Sequence, residues 1–521
     1  MFRRTRGIFL FVFWILFVSA LACSRRPVAD DGPRAVAVGG DGTGGASSPR
    51  VTPNAGSLSI APFPTVPVRG TPTPDPTRVF ALNPGTDYRV QPGDTLSAIA
   101  LRAGVTVADL IAANSGLSAS ATLETGQVLH LPPPAAHGPA FKIIPNSELI
   151  YSPTTIGFDT IAFAQAQNGY LARYSEEVDG EVRSGAEILE LVATRYSVNP
   201  RLLLALLEHM SGWVTQADPN PGTLTFPMGH AGESWKSGLF HQLNWAANQV
   251  NAGYYLWRAN ALLTLTLADG EIVAIDPALN AGTVGVQYFF AQHSGSAVWR
   301  AQVGPGADGF AATYRWMFGE PFSYTFDPIL PAGLTQPNMT WPLKTDEGWY
   351  FTGGPHGGWD TGSGWAALDF GPPDGQEGCG TSPAWVRAAS AGLIVRSADG
   401  AVVQDLSGDG FEQTGWAIFY MHVATQDRAV LGMFAKAGDP LGHPSCEGGF
   451  ANSRHLHFAR KYNGEWIPAD GALPIVIDGW VSTGLGKEYD GFLVKGDKKL
   501  EACDCRSEAN LIVVPQQSGL R

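Results

Sequence analysis

The sequence predicts a multidomain protein in which a small β-α-α-β module, a mostly α unit and an all-β domain with an antiparallel sheet follow one another. Three observations lead to this fold class. The chain has 521 residues, which is too long for one hydrophobic core. Helical periodicity dominates from about 141 to 324, whereas short strands punctuated by glycine dominate from about 339 to 480. A stretch rich in Pro, Gly, Ser and Thr, from 24 to 86, precedes them and lacks apolar periodicity.

The N-terminus has the pattern of an export signal. Basic residues precede an apolar run from 7 to 22, which is shorter than the roughly 20 residues of a membrane span. The run ends in Ala-Leu-Ala-Cys, which resembles the bacterial lipobox and makes Cys23 the candidate lipidation site. Ordinary signal cleavage and an uncleaved anchor remain open alternatives. All three place the remaining chain outside the cytoplasm, in the extracellular space or the cell envelope.

Charge and periodicity set the remaining expectations on partners and boundaries. The formal net charge of -13 and the absence of a basic stripe in the sequence argue against a nucleic-acid partner. The predicted segments are a signal peptide (1–22), a flexible spacer (23–86), the small module (87–132), a linker (133–145), the helical unit (146–330), the β domain (331–490) and a C-terminal tail (491–521).

Four cysteines follow the candidate lipidation site and can form disulfides in an oxidising compartment. Three pairings are open on paper. We favour Cys379 with Cys446, which would staple the β domain. Cys503 and Cys505 could bridge each other, although the ring would be small.

The first module has a specific signature. A strand precedes Pro-Gly-Asp-Thr, two short helices follow, and a second strand ends the module. The segment resembles a LysM module over its whole length, with the sequence YRVQPGDTLSAIALRAGVTVADLIAANSGL followed by a final GQVLHLP. The resemblance implies binding of glycans that contain N-acetylglucosamine, such as peptidoglycan. The loops that it assigns to sugar contact contain Gly93, Asp94, Thr95, Leu96, Ser115, Gly116 and Leu117.

The helical unit resembles the lysozyme-like fold of lytic transglycosylases in three ordered fragments: SVNPRLLLALLEHMSGW, SGLFHQLNWAA and DPALNAGTVGVQYFF. Those enzymes have a catalytic Glu where this chain has Met210, and a thioether cannot protonate a glycosidic oxygen. Glu208 would point about 200 degrees around the helix from Met210. Glu208 or Glu233 as a displaced acid is the minor alternative. We therefore expect a non-catalytic unit with a glycan-binding or spacer role.

Five residues in the β domain suggest a metal site. His455 and His457 are separated by one residue in an apolar strand, so both rings lie on one face. His356 in GGPHGG, Asp369 in ALDF and His422 after Phe-Tyr-Met are the other candidates. Two imidazoles and a carboxylate, with a fourth position left to water, form a ligand set used by catalytic zinc.

These pieces, in this order, resemble the lysostaphin and beta-lytic family of zinc metallopeptidases. The resemblance makes His356, Asp369 and His457 the ligands of Zn2+. His422 and His455 then become catalytic residues that flank the reacting water, one as a base and the other as a donor to the developing oxyanion.

The identity of the carboxylate ligand is open between two positions. Asp360 follows His356 by four residues, the spacing of the lysostaphin branch. Asp369 lies in an apolar strand, where a carboxylate needs a strong partner. The Gly-Gly-x-His and Leu-Asp-Phe pieces match the beta-lytic branch, so we prefer Asp369.

Together these features predict a zinc-dependent endopeptidase that cuts the peptides of peptidoglycan. LysM would concentrate it on the glycan, and a lipid anchor would hold it at the membrane. The alternative is a non-catalytic wall-binding protein or an activator of a partner hydrolase. The completeness of the metal set favours the enzyme. The bond that is cut, the role of the helical unit, any need for activation and the oligomeric state are not readable from the sequence.

Overall fold

The computed structural model describes residues 85–133, 137–344, 346–374 and 378–513. The spacer, the export signal and Cys23 lie outside these residues, so export and lipidation stay predictions. None of the helices within the described residues is both long enough and apolar enough to cross a membrane.

The first unit has the predicted order of strand, helix, helix and strand. Its elements are β1 (Asp87–Arg89), α1 (Leu96–Ala103), α2 (Val107–Ala112) and β2 (Val128–His130). The two strands pair antiparallel, with Tyr88 opposite Leu129. Thr106 forms a capping box at the start of α2, where its hydroxyl accepts from the Asp109 N–H. Local sequence thus specifies this unit almost completely.

The middle unit is largely helical and also contains two β-hairpins. Its helices are α3 (Thr160–Gln167), α4 (Gly185–Tyr196), α5 (Pro200–Ser211), α6 (Leu239–Arg258), α7 (Ala281–Ala291), α8 (Ser296–Gln302) and α9 (Phe310–Phe318), and its hairpins are β3 (Ser175–Val178) with β4 (Glu181–Ser184) and β5 (Thr264–Thr266) with β6 (Ile272–Ala274). The sequence shows helical periodicity most clearly at 186–196, 200–210, 245–263 and 284–292, and these segments fall within α4 to α7 or overlap them. The hairpins were not predicted, because three- and four-residue strands carry little periodicity.

The predicted linker 133–145 is wrong at its C-terminal end. Ile143 and Ile144 are fully buried in the core of the middle unit. The Ile143 N–H donates to the Thr283 hydroxyl on α7. Two adjacent branched apolar residues of this kind stabilise a core when buried, so the unit begins before residue 146.

The C-terminal unit is all β. Its strands are β7 (Trp349–His356), β8 (Ala367–Gly371), β9 (Val386–Arg387), β10 (Gly392–Ala398), β11 (Ala401–Asp405), β12 (Trp416–Met421), β13 (Phe434–Ala435), β14 (Pro440–Gly442), β15 (Leu456–Tyr462), β16 (Glu465–Trp466), β17 (Val476–Ile477), β18 (Trp480–Gly484), β19 (Gly491–Lys495), β20 (Lys498–Glu501) and β21 (Leu511–Ile512). The main sheet runs β13-β10-β11-β12-β15-β8-β7-β21, with β16 paired to β15. Its pairs are antiparallel, as predicted.

The two faces of this sheet serve different cores. On one face, large side chains such as Phe370, Ile418 and Phe458 pack within the β domain. On the other, small residues such as Ala367 and Ala459 let the middle unit approach and share its core. Alternation along each strand separates the two sets. The sheet and the middle unit are therefore joined by a buried apolar face.

The predicted tail 491–521 is wrong as an appendage. Strands β19 and β20 complete a four-stranded sheet with β17 and β18, and β21 pairs with β7 of the main sheet. Leu493, Leu500 and Ile512 are buried in the β-domain core. Burial of this apolar side of the segment places residues 491–512 inside the domain.

Candidate metal centre

The register of the main sheet brings two of the predicted ligands together. His457 on β15 stands directly opposite Asp369 on β8, in the middle of four consecutive antiparallel pairs. Directly opposed side chains lie on the same face with their Cβ atoms about 5 Å apart. Both belong to the face that also packs against the middle unit.

The third predicted ligand arrives through an irregular strand. Two register shifts interrupt the pairing of β7 with β8, one between Phe351 and Gly353 and one between Gly353 and His356. Such bulges bend a strand and redirect its side chains. Gly353 faces Asp369, and a Cβ there would lie 2.9 Å from the carboxylate Oδ2. The glycine therefore leaves room for the carboxylate.

The ligand atoms form a compact triangle. His356 Nε2 lies 3.0 Å from His457 Nδ1, and Asp369 Oδ1 lies 3.2 Å from each of them. These three buried residues are the group in the described chain that could hold a metal ion. A tetrahedral ion with bonds of about 2.0–2.1 Å separates its ligands by about 3.3 Å, so the triangle has a suitable size.

The hydrogen bonds of the two imidazoles leave lone pairs, rather than protons, facing the centre. His356 Nδ1 is 2.8 Å from the Gly354 carbonyl, and His457 Nε2 is 3.0 Å from the Gly358 carbonyl. A carbonyl only accepts, so each of these nitrogens donates and the other nitrogen of each ring is unprotonated in the neutral state. Such backbone anchoring is typical of metal-ligating histidines.

With both imidazoles neutral, three acceptors meet without a donor between them, and a cation would satisfy all three. Asp369 Oδ1 is buried and has no hydrogen-bond donor of suitable geometry among the described residues. A buried acceptor without a partner is costly, and convergence of three is more so. The donor set of two nitrogens and one carboxylate oxygen fits zinc in particular.

The electrostatics of the trio agree with this need. Burial alone would raise the pKa of Asp369, but His356 and His455 hold it well below its ordinary value. Burial would lower the pKa of His356, yet the Asp369 carboxylate raises it. Burial lowers the pKa of His457. The carboxylate is therefore ionised at neutral pH and attracts positive charge into the site.

The two remaining predicted histidines flank the trio. The rings of His422 and His455 are 4.5 Å apart, and His455 Nε2 is 3.6 Å from Asp369 Oδ1. His422 Nδ1 contacts the Glu447 carbonyl at 3.0 Å and His455 Nδ1 contacts the Ser453 carbonyl at 2.8 Å. Both rings thus keep Nε2 available as a proton acceptor. Burial, followed by the neighbouring His455 and His457, lowers the pKa of His422 well below its ordinary value, so it is neutral at pH 7.

Asp360 lies outside the trio and has another partner. Its Oδ2 accepts from the Tyr196 hydroxyl of α4 at 2.9 Å. Asn248 of α6 binds the same loop, since its Oδ1 accepts from the Gly362 N–H at 2.7 Å and its Nδ2 donates to the Thr361 hydroxyl. The middle unit therefore holds the loop that follows His356. Sequence analysis missed this role of Tyr196 and Asn248, because no local pattern indicates a contact between distant segments.

Tyr489 is another site residue that sequence analysis missed. Its ring stacks on that of His356, with centroids 4.2 Å apart and planes 19° apart. Tyr489 has a positive φ of 67°, which is uncommon for a bulky residue. That backbone conformation, rather than any motif, places it over the ligand.

The middle unit contains no acid in the position expected for glycoside cleavage. Met210 packs against its core, and the Glu208 carboxylate accepts from the Val214 N–H, the Thr215 N–H and the Thr215 hydroxyl. These bonds tie the carboxylate to the turn after its own helix. Glu233 is exposed and pairs with Lys236 at 2.7 Å. Neither glutamate is arranged as an acid at a leaving group.

Some residues of the predicted glycan loops are open to a ligand, whereas others are hydrogen-bonded or buried within the first unit. Gly93 and Gly116 have φ values of 85° and 87° and open space where a Cβ would be. Thr95 caps α1, since its hydroxyl accepts from the Ala98 N–H. Asp94 accepts from Tyr88, Gln91 and Arg102, and Leu96 is buried, so neither side chain is free for a sugar. Ser115 and Leu117 lie in the turn after α2 and, with the backbone of 93–96, stay predicted contacts.

Both cysteine pairs form disulfides. Cys379 is bonded to Cys446, as predicted, and Cys503 to Cys505. Cys446, Cys503 and Cys505 line the cleft that contains the five site residues. This cleft has a volume of 1980 Å³ and is walled on one side by the β domain and on the other by the middle unit.

Comparison with known families assigns two parts of the chain. Residues 88–132 match the family described as LysM domain. Residues 142–331 match the family described as LasA, N-terminal domain. The second match covers the unit for which a lysozyme-like fold was predicted, and that resemblance stays a prediction.

Individual relatives are proteases. Protease LasA of Pseudomonas aeruginosa strain PAO1 is 27% identical over 310 residues, which cover 56% of this chain and 69% of that protein; the strain UCBPP-PA14 protein gives the same values. Among solved structures, the M23 metalloprotease pseudoalterin is 26% identical, with 32% of this chain and 96% of that chain covered and a TM-score of 0.27. The catalytic domain of lysostaphin from Staphylococcus simulans is 23% identical, with 24% and 89% covered and a TM-score of 0.18. The chain therefore carries a LysM domain followed by a LasA N-terminal domain, and it is similar to Protease LasA.

Proposed function

We propose that the chain is a zinc-dependent endopeptidase that hydrolyses the peptides of peptidoglycan. The observation that supports it most is the trio of His356, Asp369 and His457, whose three inward atoms are acceptors within 3.2 Å of one another. The similarity to proteases named LasA and the LysM domain agree with this function.

Three of the site residues would hold the ion, and the other two would transfer protons. His356, Asp369 and His457 would hold Zn2+, with Gly354 and Gly358 orienting the two rings through their carbonyls. When bound, zinc polarises a scissile carbonyl and makes water more acidic. His422 Nε2 or His455 Nε2 would accept a proton and pass it to the leaving amine, while the other donates to the developing oxyanion.

Substrate targeting rests on the flanking parts of the chain. The LysM domain would keep the peptidase close to an insoluble glycan. The apolar run and Cys23 would deliver the chain to the envelope and tether it there. Cys23→Ser should release the protein from membranes, and continued membrane retention would contradict lipidation.

Metal content and wall digestion test the proposal together. We expect about one zinc per chain and new peptide termini from purified peptidoglycan with the untreated protein. His457→Ala and treatment with a chelator should abolish both. The matched control is His443→Ala, which removes a buried imidazole of the same domain that contacts the Ala384 carbonyl, away from the trio.

The outcomes separate the two functions that the sequence allows. Loss of zinc and cleavage in His457→Ala, with both retained in His443→Ala, supports the peptidase. Bound zinc without new peptide termini would contradict it and favour a wall-binding protein or an activator of a partner hydrolase.

A further inference from the structure

The cleft is larger than a typical pocket for a small ligand. Pockets for small ligands usually have volumes of about 300–1,000 Å³, and this one has 1980 Å³. The five site residues occupy the side that the β domain forms. The second side is the part of the lining that the middle unit contributes, from α6, the turn before it, the β3–β4 hairpin and the end of α4. This second side has no role in the chemistry described above.

Aromatic ring faces dominate the second side. Trp235 lies in the turn Ser234–Lys236 and is 52% exposed. His230 and Trp245 stack on each other, with centroids 4.6 Å apart and planes only 7° apart. All three line the cleft. Lys236 Nζ lies over the Trp235 ring, 5.3 Å from its centroid, and the exposed part of the side chain is open to a ligand.

Polar groups accompany these rings, and the same cleft is also lined by the carboxylates of Asp179 and Glu181 from the β3–β4 hairpin. His241, Asn244, Trp245 and Asn248 follow the spacing of one helix face along α6, and all four line the cleft. Asn248 is used to hold the loop after His356. The Asn244 side chain makes no hydrogen bond with the described residues and is half-buried, so its amide can both donate and accept. We call Trp235, His230, His241, Asn244 and Trp245 the α6 wall.

Rings beside a neutral amide suit a sugar better than a peptide. A pyranose presents a flat C–H face that packs on an aromatic ring, and its hydroxyl and acetamido groups pair with amides and imidazoles. An extended peptide is instead recognised through its backbone by a strand edge. The cations of the middle unit that line the cleft are all paired: Lys236 with Glu233, Arg183 with Glu181 and Asp399, and Arg195 with Asp179.

The covalent structure of the substrate determines how far the glycan can lie from the histidines. A stem peptide in the histidine site is attached to its glycan strand, and each residue of peptide adds at most about 3.5 Å of reach. The glycan must therefore pass close to the bond that is cut. Because the α6 wall lines the same cleft as the histidines, it is positioned to meet that strand.

Resting on the function proposed above, we propose that the α6 wall is a glycan subsite, which holds the sugar backbone of the same strand whose peptide enters the histidine site. This assigns the middle unit a direct part in substrate recognition. It also predicts that peptides still attached to sugar are better substrates than free peptides, because binding to the wall lowers the entropy cost of positioning the peptide.

The first test compares two soluble substrates with the full chain: a disaccharide-linked stem peptide and the same peptide without sugar. We expect kcat/KM to be at least about 10-fold higher for the linked substrate. Trp235→Ala combined with Asn244→Ala should remove this preference and leave the free-peptide rate unchanged. The matched control is Trp316→Ala, which removes a 48% exposed tryptophan of the same unit that does not line the cleft. The LysM domain is intact in every variant, so its contribution cancels.

Other results would overturn the subsite. An equal loss on both substrates means that the wall binds peptide, and an unchanged preference means that it binds neither part. A wild-type protein that cleaves nothing contradicts the proposed function instead, and the subsite is then tested by calorimetry with a soluble N-acetylglucosamine oligomer. Binding by the LysM domain is common to all three proteins, so a second binding event that is lost in Trp235→Ala/Asn244→Ala but kept in Trp316→Ala supports the wall. Identical titrations of all three proteins would exclude it.

Discussion

Two buried polar clusters lie on the same face of β15, four residues apart, and they are built in opposite ways. Around Lys461, donors and acceptors match: Glu412 accepts from Lys461 at 2.7 Å and from Arg396 at 2.9 and 3.0 Å. Around His457, the inward atoms are all acceptors. The first cluster is complete within the chain, whereas the second would be completed by the ion proposed above.

The comparison shows how stability and function separate within one strand. A buried charge with full hydrogen-bonding partners stabilises its surroundings against rearrangement, and removing one partner is costly. A buried set of acceptors lowers the stability of the empty protein and creates affinity for a cation. The difference lies in the partners, because both clusters are similarly buried.

The largest effect is expected from Asp369→Asn, which removes the charge at the centre of the incomplete cluster. Zinc content should fall from about one per chain to near zero, and hydrolysis should fall by at least about 1,000-fold. In chelator the variant should also be less stable than the stripped wild type, because His356 and His455 interact favourably with the ionised carboxylate in the metal-free protein. Asp360→Asn is the control, since an amide oxygen can still accept from Tyr196. Zinc retained in Asp369→Asn and lost in Asp360→Asn would reverse the choice of ligand.

The flanking histidines should affect catalysis and leave metal binding intact. His422→Ala and His455→Ala should each lower kcat by about 100-fold or more, because proton transfer loses its acceptor or the oxyanion its donor. Zinc content by atomic absorption should stay at the wild-type level. If zinc is lost with either ring, that histidine is a ligand rather than a proton carrier.

A substitution in the complete cluster around Lys461 should lower stability and leave zinc content and activity unchanged. Glu412→Gln leaves Lys461 and Arg396 buried without a counter-charge, so the free energy of unfolding should fall by about 3–5 kcal/mol. Zinc content and activity per folded molecule should stay close to those of the wild type. Urea unfolding, followed alongside peptide hydrolysis, measures both. A selective loss of activity without a loss of stability would contradict the distinction drawn here.

The same cluster sets a pH dependence. Burial would raise the pKa of Glu412, but Arg396 and Lys461 lower it from 4.5 to about 2. A carboxyl with a lowered folded-state pKa contributes stability that is complete above the unfolded value and is lost as pH falls through the folded one. The stability difference between wild type and Glu412→Gln should therefore be constant above about pH 5 and shrink between pH 4.5 and pH 2. A difference that grows on acidification would show that the carboxyl is not ionised in the folded protein.

The smallest effect is expected where the middle unit touches the ligand loop. Asn248→Ala removes the hydrogen bonds to Thr361 and Gly362 and should weaken zinc binding by about 10-fold, a range typical for residues that orient ligands. A competitive chelator titration measures this. Gln249→Ala, the next residue on α6, is the control. Equal affinities for the two variants would show that the loop holds its position without the middle unit.

Much of the site could be predicted from local patterns. The alternation in His-Leu-His-Phe predicts that His455 and His457 share a face, and the apolar strand around Asp369 predicts a strongly partnered carboxylate. The capping box at Thr106 and the helices α4 to α7 follow in the same way from neighbours in sequence. The pairing of Cys379 with Cys446 was one of three that the sequence allowed, and the fold selected it.

By itself, the sequence determined the local elements and the residue types of the site, because these depend on neighbours within a turn or a strand. Only the tertiary structure decided which carboxylate lies beside the histidines. Two bulges in β7 direct the His356 side chain towards Asp369, and the Tyr196 hydroxyl donates a hydrogen bond to Asp360. It also decided that residues 491–512 complete the sheets and that α6 forms one side of the cleft. These outcomes depend on the register and packing of separate segments, some of them more than a hundred residues apart, and local periodicity does not encode such contacts.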